Sequence, residues 1–467
     1  MTVTTPPRGS EIERDRDLEE RIAELEALIE EARRRARRRR MRNGAAVAFV
    51  AAGIVMFLSV GGGDGGGGVA AALAPLPGAL SPVPDAGSTP LGNLPAGIGV
   101  TSFAFDPRTP DTVYAAAMGI TAGGRNTPGY VSNSRGYVYK TVDGGQHWRP
   151  TATTGAGWTR ADTLTADPQH AGTLYAGNVV AVYKTIDGGR SWRPGNRGLF
   201  PKRSEISRTP GQPNYEFGTP GTTSWNRGEG WVSDIAVDPA NGGIVYAAAG
   251  AVRKSTNGGR TWTTVFQPPA AANRSGGVAR LAITATRPQA IYAMADDGNG
   301  YMSIYKSTDA GATWHATGGP GGAFPNSNGW GTALAVDPQQ PTTVYAAIDH
   351  TVVKTTDAGA SWQPIMHLKV EHLGDIVSSL AVDPRQPDTV YVGVHTASHT
   401  GGIYATTDGG RTWRLAVSTV AVDAIAVNPM RPTTIYAAGW AGPDATHENT
   451  FRLLRSIDSG HTWTITR

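Results

Sequence analysis

Beyond residue 98 the chain is written in short apolar runs, each stopped by Pro, Gly or Asp. The first such pair is Val100 to Phe105, the turn Asp106-Pro107, and then Val113 to Ala117. Runs this short, rich in β-branched and aromatic residues and bounded by turn formers, predict strands joined as hairpins. The phrase recurs at Asp167-Pro168, Asp238-Pro239, Asp337-Pro338, Asp383-Pro384 and Asn428-Pro429, while a fourth copy carries Thr284-Ala285 and keeps Pro288 and Tyr292. Upstream the pattern changes period. Leu18, Ile22, Leu25, Ile29, Ala32 and Ala36 alternate in steps of four and three, the seam spacing of a coiled coil, so 11–40 predicts a charged helix and a homodimer through it. Residues 43–63 carry no charge and are long enough to cross a bilayer, with Arg33 to Arg42 on the side that stays cytoplasmic. This reads as a signal anchor, because a cleaved leader would need a polar region far shorter than the forty residues present here. Residues 64–97 are rich in Gly and then Pro and predict a linker.

A second phrase alternates with the first. Thr185-Ile186-Asp187-Gly188-Gly189-Arg190-Ser191-Trp192 is one of seven copies of Ser/Thr-x-Asp-x-Gly-x-x-Trp. The acidic positions are Asp143, Asp187, Asn257, Asp309, Asp357, Asp408 and Asp458, and the aromatic ones Trp148, Trp192, Trp262, Trp314, Trp362, Trp413 and Trp463. The Asp oxygen is expected to accept backbone N–H bonds two or three residues on, and Gly to supply a positive φ. Asn257 can accept the same bonds, so that copy is expected to be intact. Combining the two phrases gives four antiparallel strands, A to D, per repeat of about 50 residues. Seven repeats predict an all-β, seven-bladed propeller over 98–467, closed without exchange of a strand between the first and last blades.

The octapeptide is the Asp-box, or BNR repeat. The chain therefore resembles the Asp-box β-propellers: sialidases, xyloglucanase-type glycoside hydrolases, sortilin-like receptors and photosystem II assembly factors. The resemblance implies a propeller in which the box is a structural turn away from the active face. It implies either a glycoside hydrolase or a non-catalytic scaffold. The sialidase version also requires an Arg-Ile-Pro signature, which does not occur here.

Composition narrows the chemistry. There are no cysteines, which excludes disulfides, thiolate catalysis and Cys-ligated zinc. Of 42 Lys/Arg and 38 Asp/Glu, 12 and 10 fall in residues 1–42, leaving a near-neutral 30 and 28, so no nucleic-acid partner is expected. No cofactor motif is present. His367, His372, His395 and His399 read as exposed loop histidines rather than a metal set.

Because strand direction alternates, the Asp-Pro turn and the box share one rim, and the irregular B–C and D–A connections share the other. Trp158, Trp225, Trp231, Trp330 and Trp440 fall in or beside those connections, with Arg280 and the acids Asp162, Asp234, Asp375 and Asp423. Glu229 sits with Glu205 and Glu216 on the long insertion before the third repeat. Aromatic platforms with carboxylates suit a sugar or a polar peptide, and paired acids are what glycoside hydrolysis needs. The expected protein is a single-pass membrane protein with a cytoplasmic N-terminus and an extracytoplasmic propeller that binds a protein or glycan on the loop rim.

Overall fold

The computed structural model describes residues 91–92, 94, 98–119, 137–151, 161–178, 181–200, 231–269, 277–285, 289–296, 302–318, 323–324, 331–369, 375–396, 401–441 and 450–466. The predicted helix 11–40, the span 43–63, most of the linker, and Trp158, Trp225, Glu229 and Trp330 lie outside them. Among the described residues no helix is long and apolar enough to cross a membrane.

Seven antiparallel sheets follow one another along the chain, each in the order A–B–C–D. Their innermost A strands are Ile98–Phe105, Thr163–Ala166, Asp234–Val237, Gly277–Ile283, Gly331–Val336, Ile376–Val382 and Val420–Val427. Each A strand packs on the next, and the seventh packs on the first, so the ring closes with no strand exchanged between sheets. In the fourth blade the short strand Ala323–Phe324 adds a fifth member by pairing with strand C.

The core is not inside the sheets but between them. Each neighbouring pair of blades encloses its own apolar slab. Tyr246, Ala248 and Val252 of blade three, for example, meet Val278, Leu281 and Ile291 of blade four. The closing slab sets Phe103 and Phe105 of blade one against Tyr436 of blade seven, with ring centroids 6.0 and 5.9 Å apart. The B strands are apolar on both faces because both are covered, as in Val245–Ala249, where every residue is buried.

The box bonds reach one residue farther than predicted, although Asn257 also accepts the amide of Arg260, three residues on. Asp187 Oδ1 accepts the amide of Ser191, four residues on, and the hydroxyl of Thr185, whose own Oγ1 accepts the amides of Asp187 and Gly189. Two consecutive residues take positive φ, not one: Gly188 at 69° and Gly189 at 87°. Where Ala310, Ala358 and Ser459 fill the first position, a non-glycine residue holds the left-handed conformation at 57–59°. Nor does the Trp simply cover its own turn. Trp262 donates its Nε1–H to Gly195 O of the preceding blade at 2.8 Å, and Trp413 does the same to Ile365 O at 2.9 Å.

The linker's end is part of this scheme. Leu91 and Leu94 pack on the slab between blades seven and one, and Gly92 N–H donates to Gly145 O of the first box at 2.8 Å. Gly318, which follows strand D of blade four, makes the equivalent bond to Gly359 O at 2.7 Å. Residues 91, 92 and 94 thus contribute to the seam between blades seven and one.

The repeated Tyr of strand B anchors each interface. Tyr246 is fully buried and donates its hydroxyl to Ala310 O at 3.0 Å. Tyr246→Ala should cost about 3–5 kcal/mol of unfolding free energy through cavity formation. Tyr246→Phe should cost only about 1 kcal/mol, one hydrogen bond. Denaturant unfolding of the two variants checks the ratio.

Candidate functional site

In five blades the start of strand A is set by a bulge. In blades one, four, five, six and seven the A–B register shifts near the start of strand A, at Thr101, Ala279, Thr332, Ser378 and Asp423. A hydroxyl at this position has a defined task. Thr101 donates to Ala116 O in its own blade and Ala161 O in the next, at 3.3 and 3.0 Å. Ser233, at the matching position of blade three, bonds Ala248 O and Val278 O at 3.3 and 3.0 Å. Ser378 bonds Gly393 O and Val422 O likewise. Blades two and seven carry Asp162 and Asp423 instead, and an ionised carboxylate cannot donate to a carbonyl. Two acids replacing a stapling hydroxyl break a local rule, which is where function is expected to show.

Asp423 has an exchange partner. His395 ends strand B of blade six, and its Nδ1 lies 2.8 Å from Asp423 Oδ1 across the junction of blades six and seven. Burial pushes the imidazole's pKa down, but the hydrogen bond and charge of Asp423 and the charge of Asp375 outweigh it and raise it above the ordinary value. His395 is thus half-buried and paired, not the exposed loop residue expected from sequence. His367 fits no metal set either: its ring stands edge-on to His350 at 4.9 Å and its Nδ1 is 3.0 Å from Thr351 Oγ1. His372 and His399 lie outside the described residues.

The other pair of channel groups lies deeper. Burial pushes the Asp234 carboxyl up, against the charge of Arg280. Asp234 accepts the amides of Ile235 and Leu281, both at 2.9 Å. Arg280 donates Nε–H to Thr332 O at 2.6 Å and Nη1–H to Ala279 O at 2.9 Å. Together they link blades three, four and five. Asp162 precedes strand A of blade two, half-buried, and Asp375 precedes strand A of blade six, buried.

Of the aromatic candidates, Trp231 stands before strand A of blade three, half-buried. Its neighbour Val232 donates its N–H to Asn178 O in the B–C turn of blade two, so the long insertion rejoins the propeller at the loop rim. Trp440 lies within strand B of blade seven, not in a loop, and packs edge-on against Phe451 of strand C at 5.4 Å.

One feature of the other rim was missed in the sequence. Lys140, Lys184, Lys254, Lys306, Lys354 and Arg455 each directly precede a box. Lys254 Nζ donates to Ala310 O in the next box at 2.7 Å, Lys306 to Ala358 O at 3.3 Å and Lys354 to Gly409 O at 3.4 Å, while Arg455 closes the circuit on Gly144 O. The five lysines also sit 4.9–5.7 Å from the ring centroid of their own blade's Tyr. A basic residue before Ser/Thr-x-Asp in six of seven copies was the available signal.

No family model matches the chain, and no curated protein matches it. Solved structures similar to it include the GH74 xyloglucanase from Xanthomonas campestris, at 17% identity over 78% of this chain and 60% of that one, with a TM-score of 0.47. A GH74 enzyme from Niastella koreensis aligns at 16% identity over 79% of this chain and 71% of its own, with a TM-score of 0.43. YCF48 from Cyanidioschyzon merolae aligns at 15% over 78% and 97%, with a TM-score of 0.47. The chain thus spans only part of the Xanthomonas enzyme.

The box acids set an acid limit on the fold. Burial raises the Asp187 carboxyl, but bonds from the Ser191 hydroxyl and amide and the Thr185 hydroxyl outweigh it and hold the pKa down to about 2. Asp143 and Asp408 are likewise held at about 2. A depressed folded pKa gives stability that is present above the unfolded value of about 3.9 and lost as pH falls through the folded one. Denaturant midpoints should therefore hold down to about pH 4 and then drop steeply toward pH 2. A midpoint flat over that range would show the box bonds to be energetically idle.

Proposed function

We propose that this is a membrane-anchored, extracytoplasmic propeller that works as a non-catalytic scaffold, capturing a protein or glycan on its loop rim. The observation that carries this reading is the use of the channel carboxylates. Asp234 is bonded to two backbone amides and faces Arg280, and Asp423 holds His395. A glycosidase needs two carboxyl groups poised across one bond, one of them ready to give up a proton. Here the acids spend their bonds joining blades. Half-buried Trp231 and Trp440, on or beside the loop rim, supply apolar area next to polar groups, which suits a binding surface.

The anchor rests on the uncharged stretch 43–63 and the Arg run before it. A carbohydrate-active hydrolase using the same rim is the second reading, favoured by the two acids that replace hydroxyls at the bulge.

The full-length chain in detergent, incubated with a panel of β-glucans, xyloglucan and sialylated glycans, should release no reducing sugar. Trp231→Ala should weaken capture of the bound panel member about tenfold or more, as loss of a buried aromatic anchor does. Turnover of any glycan that is abolished by Asp423→Asn, with the fold intact, would establish the hydrolase instead.

A further inference from the structure

Seven copies of one interface allow each to be compared with the others, and the one between blades two and three combines two uncharged positions. In the interface between blades five and six, Lys354 Nζ lies 3.6 Å from Asp388, a carboxylate in the A–B turn of the following blade. Blade one carries Asp111 at the same position, 2.9 Å from Arg431 of blade seven. Only blades one and six carry an acid there; the others have Gly172, Gly243, Gln289, Thr342 and Thr433, so Lys140, Lys184, Lys254 and Lys306 meet no acid at that position of the following blade. The box acid of blade three is also neutral: Asn257 stands where the other six have Asp. Its side chain reproduces the turn, accepting the amides of Arg260 and Thr261 at 3.1 and 3.0 Å and donating to Thr261 Oγ1 at 2.7 Å. Nothing in the fold requires the loss of charge, since Asp309 holds the next box by accepting the amide and the hydroxyl of Thr313.

These changes converge on one cavity of about 500 Å3, lined by Lys184, Arg260, His170, Asp167, Asn257 and the glycines 242, 243 and 258. Burial lowers the affinity of Lys184 for its proton, Asp167 raises it and Arg260 lowers it again, so two cations share the space. Asp167 is the one carboxylate in the lining, and its oxygens are engaged by the amide of Gln169 at 2.9 Å and by His170 Nδ1 at 3.0 Å. Among the described residues no carboxylate lies within ion-pair distance of Lys184 or Arg260. The absent side chain at 242 makes room for the Asp167 carboxylate: a Cβ there would fall 1.9 Å from Asp167 Oδ2. The neighbouring cleft between blades one and two is also basic, with Lys140, Arg149 and Arg190 in its lining.

We propose that the cleft between blades two and three binds an oxyanion, with Lys184 and Arg260 as the charged donors, and takes the sulfate or phosphate ester of a small sugar-sized ligand. Arg supplies a planar fork and Lys a point charge, the usual pair for such a group. The site is on the box rim and does not depend on the loop-rim reading.

Calorimetric titration of the full-length chain in detergent, at low ionic strength, tests it with inorganic sulfate, inorganic phosphate, glucose 6-sulfate and glucose 6-phosphate. Saturable binding is expected. Tighter binding of a sugar ester than of the free ion identifies the esterified group as the ligand, and equal binding identifies the free oxyanion. Asn257→Asp restores the residue of the other six boxes, so folding should survive, yet it returns a negative charge to the cavity. It should weaken binding about tenfold, by repulsion across a few ångströms. Arg260→Met should do at least as much, and Lys354→Met, in the already neutralised interface, should change nothing. No saturable binding of any of the four probes, or affinities untouched by Asn257→Asp and Arg260→Met, would overturn the proposal.

Discussion

The structure depends on one kind of contact: groups on one blade bonded to the backbone of the next blade's box. Tyr246, Tyr391 and the basic residues Lys254, Lys306, Lys354 and Arg455 reach across to a box carbonyl, Tyr175 and Tyr345 reach an A–B turn carbonyl, and the Nε1–H groups of Trp262 and Trp413 reach back. The first set falls on carbonyls of the box turn itself. Burying such carbonyls unpaired would be costly, so the turn and the inter-blade bond are two parts of one device. It explains why the box retains a double left-handed turn even where alanine or serine must adopt it. A turn of another shape would aim its carbonyls elsewhere.

The seam is the severest test of that device, because blades seven and one are joined by no chain connection. Arg455, Asn428 and Arg431 of blade seven bond to Gly144, Pro110 and Asp111 of blade one, and Leu91 to Leu94 complete the outer edge. Many propellers could close by borrowing a strand. This one closes by side chains and a short stretch of preceding chain, which makes residues 91, 92 and 94 part of the folded unit and not only a tether.

The ring and the separation of its rims were legible in the sequence because both follow from local chemistry. Pro and Asp stop strands, Gly permits the turn, and antiparallel order fixes which turns share an edge. The count of blades and the closure without strand exchange followed from counting boxes. The site was legible only as a list. That Asp423 and Asp162 occupy a stapling position could not be read, because the staple is a bond from a bulge to a different blade, and sequence spacing carries no register between sheets. His395 illustrates the same limit: it looked like a loop residue because its partner lies 28 positions away, in the neighbouring repeat. Lys140 and its equivalents were visible as a pattern but carried no meaning until the box carbonyls they meet were placed.

Regularity also gives the exceptions their value. Five of the seven interfaces lack the turn carboxylate, but only the one between blades two and three also replaces the box acid, a change that the intact turn of Asp309 shows folding does not require. The two rims thus divide the work: one repeats, with Asn257 and Ala405 among its departures; the other varies, and its acids Asp234 and Asp423 are tied to the scaffold. Native-state hydrogen exchange of the box glycine amides measures the claim beneath all of this most directly. If inter-blade bonds hold a closed ring, the amides of Gly145, Gly189, Gly259, Gly311, Gly359, Gly410 and Gly460 should exchange together, through one cooperative opening. Amides of the first and seventh boxes exchanging far ahead of those in the middle blades would contradict it, because the seam would then be open in the native state.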